Sequence, residues 1–186
     1  SLANMITLSS HKIYGPKGIG LLIIDEDIQL NPILYGGGQE FGYRSGTLPL
    51  PLIVGFSKAI ELAIKNQERN SIQLAKRRDT LMNGLLKKNS KILINGSMID
   101  RLPHNLNLTL LDINGSKFHK YIKHQIACSS GSACSNGEVS HVLTSMGRSI
   151  KEAESSLRLS IGLTTTDEEI EKSIDVLTDT ISKLRK

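Results

Sequence analysis

The sequence predicts a mixed α/β chain, with the edge of one larger domain over residues 1–49 and a small α+β domain over 50–186. Three observations lead there. Short apolar runs broken by glycine-rich turns fill the first 49 residues. A long apolar pattern of helical period begins near Leu52. Brief strand-like and helix-like stretches then alternate to the end. At 186 residues, 39% hydrophobic and 22% charged, the chain is long enough to bury one ordinary core.

Strands are expected at 6–8 and 19–24, both short and buried, on either side of the segment SSHKIYGPKGIG (9–20). Residues 25–32 read as a polar connector. The stretch GGGQEFGYRSGT (36–47) is too rich in glycine for regular structure, and Pro49 and Pro51 suit the first turn of a helix. From Leu52 the residues Phe56, Ala59, Ile60, Ala63 and Ile64 recur at helical spacing, with Glu61 and Lys65 paired on the other side. Leu74, Ala75, Leu81 and Leu85 carry the pattern to about Lys88, as one helix or two meeting near 66–70. At about 1.5 Å per residue this spans ~50 Å, a length suited to bridging two domains.

Beyond it, strands are expected at 92–94, 106–111 and 156–161, with helices at 117–125 and 139–146. A last helix starts at Thr165 or Thr166, with Asp167 and Glu168 in its first turn and Lys183 and Arg185 in its last, as the helix dipole favours.

Composition bounds the function. The net charge of +5 permits acidic partners, but the positives are scattered, Trp is absent and aromatics are 4%, so no nucleic-acid partner is expected. No apolar run of about 18 residues predicts a membrane span. The first residues lack a signal-peptide pattern and read like the middle of a larger protein cut just before a strand. Two cysteines, Cys128 and Cys134, are too few for a secreted disulfide framework, so a cytoplasmic location is expected.

Three places carry chemistry. Lys12 follows an apolar strand and two hydroxyls, Ser9 and Ser10, and precedes a glycine-rich turn. An aldehyde cofactor needs an amine at a fixed point, and its phosphate needs hydroxyl, imidazole (here His11) or backbone donors beside it. The competing reading is a solvated lysine, the usual state of that residue. Next, ACSSGSACSNG (127–137) is a loop of small residues. A thiol there can move and react, since the thiolate is the nucleophile. Cys128, after Ile126 and Ala127, reads better as a small buried hydrophobe, whereas Cys134 sits among glycine and serine. The six-residue spacing of the cysteines fits no common zinc pattern, so no structural metal is expected. Finally, SSLRLSIG (155–162) sets Arg158 on an otherwise apolar and small strand. Its fork suits a substrate carboxylate, and a structural salt bridge is the alternative.

The four blocks SSHKIYGPKGIG, GGGQEFGYRSGT, CSSGSACS and SSLRLSIG stand in order, with LPHNLN (102–107) and SHVL ahead of Met146 and Gly147 among them. Together they resemble the C-terminal half of a cysteine desulfurase of the NifS/IscS type, in the class-V aminotransferase superfamily. The resemblance implies the C-terminal part of a pyridoxal-phosphate fold type I transferase. It implies that Lys12 holds pyridoxal 5'-phosphate covalently and that Ser9 and His11 contact its phosphate. Ser10 joins this set, although the family usually has glycine or a small apolar residue there. Thr47 would reach the phosphate of a neighbouring subunit, which implies a homodimer. Cys134 would take the sulfur of L-cysteine and become a persulfide, with only transient iron–sulfur contact, and Arg158 would hold the substrate carboxylate. The products would be alanine and a sulfur handed to an acceptor such as an iron–sulfur scaffold protein or a thiolation enzyme.

Two departures stand out. Phe41 occupies a position where the family usually has arginine, and residues 111–120 are less regular than the family's. The resemblance also implies that the groups stacking on the cofactor ring and binding its nitrogen belong to a preceding half. This chain alone is then expected to bind the cofactor poorly and not to turn over. The rival readings are a selenocysteine lyase or related transaminase-like enzyme, against which the SSGSAC loop argues, and a non-catalytic module that binds a sulfur acceptor.

Overall fold

The computed structural model describes residues 3–129 and 139–185, and the chain divides into two compact units, Ser1–Gln67 and Glu68–Lys186. The division falls inside a helix.

In the first unit β1 (Met5–Ser9) pairs antiparallel with β2 (Gly20–Ile24), Ser9 opposite Gly20 and Met5 opposite Ile24. A 3-10 turn, Ser10–Ile13, follows β1 and ends on Tyr14 in the left-handed region. The strands form where the sequence puts them, but they are not buried: Leu8, Leu21, Leu22 and Ile23 are all exposed. A two-stranded ribbon gives its side chains no second layer, so apolar content alone does not bury them. The ribbon's turn does rest on the first turns of α1 (Leu50–Lys88), where Phe56 and Ala59 are buried. Gly15 and Gly55 permit this contact. A Cβ on Gly55 would stand 3.1 Å from Pro16 Cγ, and one on Gly15 would collide with Ser10 Oγ.

Helix α1 runs unbroken for 39 residues, about 58 Å at 1.5 Å per residue. Residues 66–70 contain no glycine or proline, and Asn66 turns its amide back to donate to the Leu62 carbonyl at 2.8 Å. Nothing there interrupts the backbone ladder.

The second unit holds an antiparallel sheet in the order β3 (Ile92–Ile94), β4 (Asn105–Leu110), β5 (Ser156–Ser160). Alternation divides its faces. Leu106, Leu108, Leu110, Leu157 and Leu159 point into the core, against Leu81 and Leu85 of α1, Phe118 and Ile122 of α2 (Gly115–Ile122), and Ile170, Ile174, Leu177 and Ile181 of α5 (Asp167–Leu184). Asn107, Thr109, Ser156 and Arg158 take the other face, near α3 (His141–Ser145) and α4 (Ile150–Glu154).

Capping sets the helix starts. Thr166 and Glu169 form a reciprocal capping box at α5, and Ser149 and Glu152 form another at α4. The serine backbone and hydroxyl hold the Glu152 carboxyl below its usual range. Helix α4 was not expected from periodicity, because five residues are too few to display one. Ion pairs Arg77–Asp167 and Lys88–Asp175 link α1 to α5 at 2.7 and 2.8 Å. Both acids are largely solvated, so each pair contributes little.

Candidate active site

The first cluster is the turn after β1. Lys12 and His11 are exposed on the 3-10 turn and Ser9 is half-buried at the end of the strand. One amine, one imidazole and one hydroxyl thus lie within four residues. This donor set fits the aldehyde and phosphate ends of pyridoxal phosphate. Ser10 does not belong to it in this arrangement. It is fully buried, and its Oγ faces Gly15 with no hydrogen-bond partner among the described residues. An unpaired buried hydroxyl is destabilising, so Ser10→Ala is expected to raise stability by about 1 kcal/mol, read as a higher urea midpoint. A fall in midpoint would show that the hydroxyl has a partner.

Residues 36–47 fold as a loop bonded to itself. Gln39 Oε1 accepts from the Gly46 N–H at 2.9 Å, and the buried Ser45 Oγ accepts from the Gly38 N–H at 3.3 Å. Glu40 and Phe41 both take positive φ, 53° and 56°. Phe41 is 97% exposed and touches no core. Thr47, the last residue of the loop, is exposed.

The second cluster is the polar face of the three-stranded sheet. A cleft of about 370 Å³ is lined there by Asn95, Arg101, Asn107, Met146, Ser156 and Arg158, among others. Two guanidinium groups near it are committed. Arg101 donates to the carbonyls of Asn95 and Ser97, and Arg148 donates to Asn95 Oδ1 at 2.6 Å and to the Ile94 carbonyl at 3.2 Å. Arg158, half-buried opposite Asn107, has no side-chain hydrogen bond or ion pair among the described residues. The salt-bridge alternative for Arg158 is therefore not realised among them. Its backbone pairs with Ser129, N to O at 2.8 Å and O to N at 3.2 Å, so Ser129 is pinned beside it.

The two cysteines differ. Cys128 packs against the core, with Sγ 3.9 Å from His119 Nδ1. Burial pushes the thiol up to about 11 and lowers the imidazole, so the pair is held neutral and Cys128 is a poor nucleophile. Cys134 lies outside the described residues.

The family model for class-V aminotransferases matches residues 2–172. The chain belongs to the class-V aminotransferase family. Cysteine desulfurase IscS of Rickettsia africae (strain ESF-5) is 40% identical over 98% of this chain, and the chain covers 45% of that protein. Among solved structures, a NifS-like protein is 30% identical with a TM-score of 0.87, over 98% of this chain and 47% of that one. The NifS-like protein from Rickettsia africae ESF-5 is 34% identical with a TM-score of 0.85, over 96% of this chain and 48% of that one. The chain thus spans about half the length of the relatives it matches. These likenesses bear out the expected fold, the C-terminal part of an α/β enzyme of the NifS kind.

Sequence reasoning picked out Arg158 but missed Asn107, Asn95 and Arg148 around it. The signal was present in β4, where Asn105, Asn107 and Thr109 alternate with three leucines. That alternation marks one polar, half-buried face.

Proposed function

We propose that this chain serves a pyridoxal-phosphate-dependent cysteine desulfurase, with Lys12 as the cofactor lysine, Cys134 as the sulfur acceptor and Arg158 as the carboxylate anchor. The reading rests most on Arg158, a half-buried guanidinium lining a cleft, whose fork has no partner among the described residues, while its two neighbours are committed. A partly desolvated cation gains from an anionic partner, and a carboxylate supplied by substrate is one. The desulfurase relatives make L-cysteine the substrate of choice.

When bound, the cofactor supplies an electron sink for the substrate's α-carbon. Lys12 holds it and moves a proton at that carbon. Ser9 and His11 orient its phosphate, and Thr47 does so for a partner subunit in a homodimer. Arg158 fixes the substrate carboxylate. Overall, the C–S bond of L-cysteine breaks, the sulfur passes to Cys134 and makes a persulfide, and L-alanine leaves. Cys134 is five residues beyond Ser129, within about 18 Å of extended chain from the strand that carries Arg158. The persulfide sulfur then goes to an acceptor protein, such as an iron–sulfur scaffold, in a reducing, cytoplasmic setting.

Pyridoxal phosphate followed by borohydride tests the assignment. The expected result is reduced cofactor on the peptide containing Lys12, found by mass spectrometry and absent from Lys12→Ala. The trapping is done on the complete enzyme, and attachment there at another lysine, or none, would remove Lys12 from the mechanism.

A further inference from the structure

The polar face of the sheet carries a second observation beside Arg158. A guanidinium has donors only, so Arg148 Nε can reach nothing on Asn95 but its oxygen, at 2.6 Å. That fixes the Asn95 amide. Its Nδ2 then points toward Asn107 Oδ1 at 2.7 Å and Thr109 Oγ1 at 2.9 Å. Asn107 is fixed in turn, because the atom meeting a donor must be its oxygen. Its own NH2 is left for the cleft, directly across β4 and β5 from Arg158. Two side chains distant in sequence, Arg148 and Asn95, thus set the orientation of the Asn107 amide.

We propose that Asn107 is a second substrate-binding residue, whose NH2 donates to the same carboxylate that Arg158 holds, with Arg148 and Asn95 as positioning residues behind it. This rests on the Arg158 reading given above and adds its partner. The chemistry is complementary. A carboxylate has about four lone-pair sites, and a single guanidinium fork uses two of them. An amide NH2 alongside takes another and carries no charge, so it adds no repulsion against Arg158. Arg101 and Arg148 spend donors on protein oxygens, whereas Arg158 and the Asn107 amide line the cleft side by side. Two such donors together suit an anionic planar group. Asn107 also sits opposite Arg158 on adjacent strands, a register that fixes the pair without relying on any loop.

The test uses the full 186-residue chain, labelled with nitrogen-15. The side-chain NH2 of Asn107 and the Nε–H of Arg158 are followed by NMR during titration with L-alanine, L-cysteine and cysteamine, which is cysteine without its carboxylate. Both signals are expected to move together with the two amino acids and to stay still with cysteamine. Asn107→Asp keeps the acceptor for Asn95 but turns an oxygen on Arg158, so L-alanine should bind at least roughly tenfold more weakly. Asn107→Ala should also weaken it, by a smaller factor, with the thermal midpoint showing that each variant folds. If both Asn107 variants bind L-alanine like the parent while Arg158→Met does not, Asn107 has no such role and the Arg158 reading survives. If Arg158→Met binds normally, the Arg158 reading itself fails and takes this one with it. An Asn107 amide unmoved up to the solubility limit of L-alanine also overturns the proposal.

Discussion

Serine in place of Cys134 is expected to abolish sulfur transfer from L-cysteine in the proposed desulfurase, by roughly a thousandfold or more, as loss of a covalent nucleophile does elsewhere. Cys128→Ser is expected to leave the rate within about twofold, because the Cys128 thiol takes no part in a step. The contrast has a physical basis. With its thiol pushed up to about 11, Cys128 is only about one part in a thousand thiolate at pH 8. Its imidazole neighbour does not help, since burial lowers His119 and keeps it from standing as a cation beside the sulfur. Alanine production and persulfide on the protein, measured together, separate the two residues. The assignment fails if Cys134→Ser still carries persulfide sulfur, or if Cys128→Ser stops turnover. A pH series adds an independent check. Iodoacetamide labelling of Cys128 should stay negligible at pH 8 and rise only as the pH nears 11.

Local chemistry was the part most legible in the sequence. The Lys12 turn could be read because its hydroxyl, imidazole, amine and glycines are contiguous, and contiguous residues stay together whatever the fold. The long helix was legible for the same reason, since i,i+3 and i,i+4 spacing is written along the chain. Strand burial was not. Whether Leu21 and Ile23 are covered depends on which layer lies over the ribbon, and apolar content does not report that. Ser10 shows a subtler limit. Its neighbours suggest a phosphate donor, yet the 3-10 turn rotates its hydroxyl inward against Gly15, and only the backbone path reveals this.

The Arg158 cleft was half legible for a related reason. A lone arginine on an apolar strand announces a partner, but the partner set requires knowing that β4 lies beside β5 and that Asn95 follows β3. Register pairs 107 with 158, and side-chain hydrogen bonds add 95 and 148, residues separated by up to 63 positions. No short motif contains them. The alternating Asn and Leu of β4 could have shown which face was polar, and so where to look.

Gly115→Ala is expected to destabilise the second unit by about 3 kcal/mol and to disorder the Arg158 strand with it. The glycine opens α2, yet its φ is ordinary; it is space that is lacking. A Cβ there would collide with the Glu154 carbonyl oxygen and stand 3.0 Å from its carbon and 3.2 Å from Ser155 Cα. These are backbone atoms with no rotamer to change. They are also held from both sides, because the buried Ser155 Oγ donates to the Ile113 carbonyl at 2.6 Å and the Leu110 N–H donates to the Ser155 carbonyl at 3.0 Å. Making room would break one of these bonds or push α2 off α4. Alanine's better helix propensity returns less than about 1 kcal/mol. Arg158 lies three residues beyond Ser155, so the displacement reaches the cleft directly. Gly147→Ala is the control. Its φ is 87° and nothing lies within 4 Å of its Cβ position, so only backbone strain opposes it, about 1 kcal/mol. Urea midpoints of the two variants decide the matter: equal losses would mean that crowding at Gly115 contributes nothing beyond conformation.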